Sequence, residues 1–266
     1  TNEPEFRRLQ NNELMEAFRD RTIRVDIPYN TTLDDEVRIY QKDYSARRVS
    51  GKHVAPHATA VAAQWAVLTR LKRPLPERHP AEVRQLLEHL TPLEKLRLYD
   101  AGAAPDRLSL AQAKVLRKHA PDLHRESDAY PNYEGRSGAS AREIKTALFN
   151  AAQAPGAACL TPLAVLEELR ALCRDASVHD FLQEEVVDGY HDHAEFVSVV
   201  EAEVLDAIDE EIRDSMGRVS EAQYREHFVR YVTLVSHWVK GERLKNAVTG
   251  EYEAADEQRM AELEKI

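Results

Sequence analysis

Two arginines stand out by position, and a guanidinium stays charged and offers a planar donor fork that lysine does not. Arg21 closes the polar helical run "NNELMEAFRDR" just where the pattern turns into "TIRVDIPY", so it is held at a helix-to-strand corner. Arg142 falls in the first turn of the helix opened by "GASAREIKTAL". There the helix macrodipole disfavours a cation unless something anionic lies near. Each also has a plain structural reading: Arg21 can pair with Asp20 or Glu16, and Arg19 is its neighbour and rival.

Other chemistry is weaker. Ser140 and Lys145 are five positions apart on one helix and face apart, so they are not a Ser-Lys dyad; Ser140 with Glu143 reads as a capping box. His191 with His193 and His53 with His57 lack zinc-ligand geometry, since the first pair falls on different sides of an expected helix and Pro56 disturbs the second. No metal site is expected. The sequence contains no G-x-x-x-x-G-K-[ST] loop, no G-x-G-x-x-G, no H-R-D and no D-F-G. His124-Arg125-Glu126 is a near miss without the following asparagine.

The elements that must position these residues are mostly helical. "TIRVDIPY" alternates Ile23, Val25 and Ile27 with Arg24 and Asp26, the pattern of a half-buried strand ended by Pro28. Helices follow: one behind an N-cap at Thr32 with Leu33, Val37, Tyr40 and Tyr44 on a stripe, and one from about Pro56 through Val61, Trp65, Leu68 and Leu71. Short proline-punctuated helices fill 74–135, a helical insertion rather than a sheet. The Ser140 helix then buries Ile144 and Leu148, and "TPLAVLEELRALCRD" sets Leu163, Leu166, Leu169 and Cys173 on one stripe. Beyond it, one long helix is expected from Asp180 to Met216, broken at Met216-Gly217-Arg218. A second carries Tyr224, Phe228, Tyr231, Val235 and Trp238. The short break between two long stripes predicts an antiparallel pair with Trp238 buried in it.

Charge divides the chain. Residues 1–150 hold 25 Lys/Arg against 21 Asp/Glu, a balance of +4, while residues 151–266 hold 11 against 25, a balance of −14. An acidic half repels phosphate backbones and the first half has no concentrated basic stripe, which argues against nucleic acid. No apolar run reaches the roughly 20 residues that cross a bilayer, so no membrane partner is expected. Two cysteines, Cys159 and Cys173, make no disulfide framework. The expected setting is the reducing cytoplasm.

The segments "TNEPEFRRLQNNELMEAFRDRTIRVDIPYN", "DEVRIYQKDY", "HVAPHATAVAAQWAVLTRL", "LEKLRLYD" and "GASAREIKTAL", in this order, resemble the C-terminal half of the PrkA family of bacterial serine protein kinases. Those proteins carry an AAA+ type ATPase module at the front. The likeness covers most of residues 1–175 and, more loosely, "AVTGEYEAADEQRMAELEKI" near the end. It implies a mainly α chain. Residues 1–160 would be the C-terminal part of the AAA+ module (sensor strand, lid helices and helical insertion), and 161–266 an acidic helical domain with long antiparallel helices.

By the same resemblance Asn2 in "TNEPEF" looks like the polar sensor that positions water at the γ-phosphate. Arg21 looks like the arginine finger that reaches a neighbouring subunit, and Arg142 like the second sensor arginine of the lid. The parent would be an ATP-dependent serine/threonine kinase using ATP and Mg²⁺ on protein substrates as a homo-oligomer. The alternatives are an AAA+ ATPase that remodels or degrades protein, and a non-enzymatic regulatory or assembly module. Lacking the phosphate loop, the chain alone is expected to bind no ATP.

Overall fold

The computed structural model describes residues 5, 6, 8, 11, 21–23, 25–45, 52–126, 133–156, 158–216, 221–245, 252–254 and 260. The fold is mainly α, in two compact units, Thr1–Val200 and Glu201–Ile266.

In the first unit the order is α1 (Leu33–Gln41), β1 (His53–Val54), α2 (Ala58–Arg70), α3 (Ala81–Glu88), α4 (Pro92–Ala101), α5 (Leu110–Arg125), α6 (Ala141–Gln153), β2 (Cys159–Leu160) and α7 (Pro162–Arg174). The two short strands pair in parallel, His53 with Cys159 and Val54 with Leu160. Helix α2 is the centre and packs on α1, α4, α6 and α7. Its sequence "ATAVAAQWAVLTR" is apolar on nearly every side, and a helix of that kind belongs inside a core. The small alanines let neighbours approach, while Trp65 and Leu68 fill the space between them; both are buried.

The capping expectation holds at α6, where Ser140/Glu143 form a reciprocal box, and α4 and α5 carry boxes of the same kind at Thr91/Glu94 and Ser109/Gln112. Helix α1 is capped differently. Thr32 occupies the N-cap, but the carboxylate of Asp100, from α4, accepts from the amides of Leu33 and Asp34 at 3.0 and 3.1 Å. Ile144 and Leu148 are buried as expected. On α7 the buried stripe is Val165, Leu166 and Leu169, and Leu163 is exposed.

Three expectations fail. The described residues of 22–29 form no strand, and Ile23, Val25 and Ile27 are all exposed. Alternation supplies the two faces of a strand, but a strand also needs a neighbour for its amides and carbonyls; no described strand pairs with this segment. Nor does one helix run from Asp180 to Met216. A 3₁₀ turn over Asp180–Gln183 leads into a two-residue hairpin, with Val187 and Tyr190 exchanging both backbone hydrogen bonds across Asp188-Gly189. Both turn residues have positive φ, the signature of the Asp-Gly turn. Helix α8 starts only at His193 and ends at Ser215, so His191 lies in the turn rather than on a helix.

The third failure lies in the second unit. Helix α9 (Glu221–Lys240) is followed by β3 (Arg243–Lys245) and β4 (Tyr252–Ala254), paired antiparallel. The expected buried pairing of α8 with α9 is absent among the described residues: Leu205 and Ile212 on α8 and Met216 just after it are exposed, as are Tyr224 and Phe228 on α9, and Trp238 is 48% exposed. From Glu201 onward α8 carries seven acidic side chains and one arginine, and seating that rim against another helix would desolvate carboxylates that have few cations to meet.

One buried ion pair has no counterpart in the sequence reading. The guanidinium of Arg70, at the end of α2, lies 2.7 Å from Glu36 of α1, both side chains out of contact with solvent. Tyr40 and Asn30 donate to the same carboxylate. Burial by itself pushes the Glu36 carboxyl up, but the Arg70 hydrogen bond and charge, helped by Tyr40 and Asn30, outweigh it and hold the group below its ordinary value. Its ionised form therefore stabilises the fold above the unfolded value of 4.5, and that contribution is lost as pH falls through the lower folded value. Glu36→Gln is expected to lose about 3–5 kcal/mol at neutral pH, because it leaves the buried guanidinium uncompensated. In urea unfolding, the gap from the wild type should close below about pH 4.5. Exposed Arg38→Ala serves as the control and should cost under about 1 kcal/mol.

Candidate functional site

The N-terminus of α6 is built by a loop held from the core. Ala139 accepts from Arg70 Nε and Nη2 at 2.9 and 2.7 Å, and its own amide donates to Thr69 Oγ1 at 2.9 Å. Gly138 has φ +110° and lies so close to α2 that a Cβ would sit 2.7 Å from Arg70 Cγ and 2.8 Å from the Thr69 carbonyl. Only glycine fits that approach. Ser140 then closes the helix: its amide and hydroxyl both donate to Glu143 Oε2 at 2.7 Å, and the Glu143 amide donates back to Ser140 Oγ at 3.3 Å. The other oxygen of Glu143 pairs with His179 Nδ1 at 2.6 Å.

On this base Arg142 stands exposed at the second position of α6. With Ala141, Lys145, Thr146 and Phe149 it lines a shallow surface groove of about 410 Å³. Lys145 is anchored by an ion pair to Asp43 at 2.6 Å, and its carbonyl accepts from Tyr44 at 2.8 Å. Among the described residues no carboxylate pairs with the Arg142 guanidinium. The groove thus offers the Arg142 guanidinium, with Lys145 beside it held by Asp43, at a helix N-terminus whose dipole favours an anion.

Arg21 sits exposed at a turn, and Asn2 lies outside the described residues. Among the described residues no hydrogen bond, ion pair or groove links Arg21 to Arg142. The segment after Arg21 is nevertheless tied to the loop before Arg142: Tyr29 donates its amide to the Gly135 carbonyl at 2.8 Å, and Arg70 Nη1 donates to the Asn30 carbonyl at 3.0 Å.

The candidate nucleophiles are occupied or quiet. The Ser140 hydroxyl is spent on Glu143. Burial pushes the Cys173 thiol up to about 11, aided by nearby Asp192, so it remains a thiol at neutral pH. Among the described residues no group of three or more His, Cys, Asp or Glu is arranged to hold a metal. His193 is a core residue: its Nε2 faces the Phe181 carbonyl at 2.8 Å, its own carbonyl accepts from Trp65 at 3.0 Å, and burial lowers its proton affinity.

Two family models match the chain, the PrkA AAA domain over residues 1–77 and the PrkA serine protein kinase C-terminal domain over residues 93–266. The chain belongs to the PrkA family. It is 26% identical over 264 residues to the ATP-dependent protease PrkA of Bacillus subtilis, covering 99% of this chain and 37% of that protein. It is 28% identical over 106 residues to the serine/threonine kinase YeaG of Escherichia coli K12, covering 40% of this chain and 14% of that protein. The chain therefore spans little more than a third of the length of the Bacillus relative. No solved structure matches.

The matched spans divide the PrkA sequence between residues 77 and 93, yet the core does not divide there. Arg70 and Glu36 fall in the AAA span and Ala139 in the C-terminal span, and Arg70 bonds to both partners. Sequence reasoning found Arg142 and its cap but missed the residue that places them, because a single arginine at the end of an apolar helix carries no periodic signal. Ser140→Ala is expected to cost about 1 kcal/mol in urea unfolding, the ordinary loss for an N-cap. A serine-directed fluorophosphonate probe should leave Ser140 unlabelled in the folded wild type, as read by peptide mass spectrometry; labelling would restore the hydroxyl as a nucleophile.

Proposed function

We propose that this chain forms the sensor and lid portion and the C-terminal domain of a PrkA-type ATP-dependent serine/threonine protein kinase. The observation that supports it most is the exposed Arg142 beside Lys145 at the capped N-terminus of α6, an anion-binding surface with no competent nucleophile near it. Phosphoryl transfer asks a protein for charge and positioning rather than for a nucleophile of its own. A triphosphate fits the donor set of that groove. When bound, ATP with Mg²⁺ supplies the transferable phosphoryl group. Arg142 and Lys145 then hold its charge, Arg21 reaches a neighbouring subunit of a homo-oligomer, and Asn2 orients water or substrate. The acceptor is a protein hydroxyl, and the setting is cytoplasmic.

A second reading, an ATPase that remodels or degrades protein, is favoured by the name of the Bacillus relative. The sequence itself has no phosphate-binding loop, so the 266 residues alone act as a regulatory or assembly module in either case. The separating experiment uses the parent protein with radiolabelled ATP, a mass-spectrometric search for phosphoserine and a parallel casein-degradation assay. Label in protein without peptide release supports the kinase, and peptide release without label overturns it.

Within that parent, Arg21→Ala is expected to cut ATP turnover by about 10³-fold or more while ATP affinity changes little, because a finger acts on charge that develops in the transition state. Equal losses in both would make Arg21 structural. By calorimetry the 266-residue chain, which has the groove's cations but no phosphate-binding loop, should show no ATP binding at micromolar affinity.

A further inference from the structure

Helix α9 has more apolar surface than the described residues cover. Leu234 is buried and Tyr231 half-buried, which fixes the side of α9 turned to its own chain. Beginning beside Tyr231 and turning away from Leu234 by about 80–160° around the helix, Tyr224, Phe228, Val232, Val235 and Val239 follow at helical steps of four, four, three and four. Tyr224 is 60% exposed, Phe228 59%, Val232 48% and Val239 71%, and Val235 is half-buried. The apolar arc of α9 is therefore wider than one contact needs, and its open part is a continuous ridge with Val229 and Trp238 at the rim.

The geometry points to a second copy of this chain as the occupant of that ridge, with α9 packing on α9 of the partner copy. Charge decides between the exposed helices. The twenty residues of α9 carry three basic and two acidic side chains, so two copies meet with almost no net repulsion. Helix α8 from Glu201 to Ser215 carries seven acidic residues and one arginine, and self-pairing there would crowd like charges.

Area agrees. Aromatic side chains present about 150–250 Å² each, so the open fractions of Tyr224, Phe228, the valines and the rim give roughly 600 Å² per copy. Two copies then bury about 1,200 Å², the lower end of specific interfaces. A two-fold contact is self-complementary, and an i, i+4 ridge such as Tyr224-Phe228-Val232 interdigitates with its own copy at the common crossing angle of about −50°. This inference does not depend on the nucleotide chemistry proposed above.

Sedimentation velocity of the 266-residue chain, over roughly 1–100 μM, tests it, since self-association is concentration-dependent. The mass should move from 30.3 kDa toward twice that value. Phe228→Glu should return it to the monomer with an unchanged far-ultraviolet dichroism spectrum, while Thr233→Glu, on another side of α9, and Ile212→Glu, on α8, keep the dimer. Should Phe228→Glu fail to fold, Val235→Cys with mild oxidant provides a second reading: a reducible cross-linked dimer absent from the parent supports the contact. A chain that stays monomeric throughout the range, or a dimer that survives Phe228→Glu and dissociates with Ile212→Glu, overturns the proposal. So does failure of Val235→Cys to cross-link.

Discussion

Four hydrogen bonds from one buried guanidinium set the geometry on which the first unit depends. Arg70 donates to the Asn30 carbonyl, to Glu36 and twice to the Ala139 carbonyl, so segments from far apart in sequence must converge on the end of α2. The face of Tyr29 lies 5.1 Å from the same guanidinium. A charge withdrawn from water is tolerated only when its donors are met, and here backbone carbonyls meet most of them. Backbone acceptors cannot be moved without moving the chain. Arg70 therefore dictates the paths of the segments it touches.

A second buried pair holds the same loop at its other end. Glu134 receives Lys95 Nζ at 2.6 Å, Tyr99 Oη at 3.0 Å and the Lys72 amide at 2.8 Å, with Lys95 and Glu134 both buried. Residues 134–139 thus run between two ion pairs, one anchored in α4 and one in α2. Gly135 makes this possible at the first end, since a Cβ there would lie 2.5 Å from the Tyr29 carbonyl. Apolar residues of similar volume would stabilise as well or better, so the gain from such pairs is best understood as register. Each carboxylate accepts donors at fixed distances, and a slipped loop would leave them unmatched.

What was legible in the sequence followed from short-range physics. Ser140 announced a helix start because a cap and its N3 partner are three residues apart, a signal equally present at Thr91 and Ser109, and Trp65, Leu68, Ile144 and Leu148 announced their faces by period. The Asp188-Gly189 turn was equally local and could have been read, since a dipeptide that favours positive φ lay inside the supposed helix. Arg70 and Glu36 were not legible. They are 34 positions apart, and Glu36 sits within an amphipathic helix where a carboxylate normally faces water. The strand over 22–29 and the pairing of α8 with α9 failed for a related reason. Periodicity gives a segment its faces but says nothing of whether another element covers them.

The same convergence bears on how α6 can move. Its N-terminus enters directly from Ala139, so a displacement of Arg142 must either break two hydrogen bonds to a buried guanidinium or carry the end of α2 along. Breaking them would strand a charge in the core, at a cost of several kcal/mol. Moving together keeps these four contacts, since Asn30, Glu36, Arg70 and Ala139 stay matched if α1, α2 and the start of α6 turn as one body, but it works against α4 and α7, on which α2 also packs. The loop that leads into α6 is thereby tied to Tyr29 and Asn30, through the Gly135 carbonyl and through Arg70. Arg70 and Ala139, matched by two different family models, are in this way joined in one core, and the start of the Arg142 helix is placed from both.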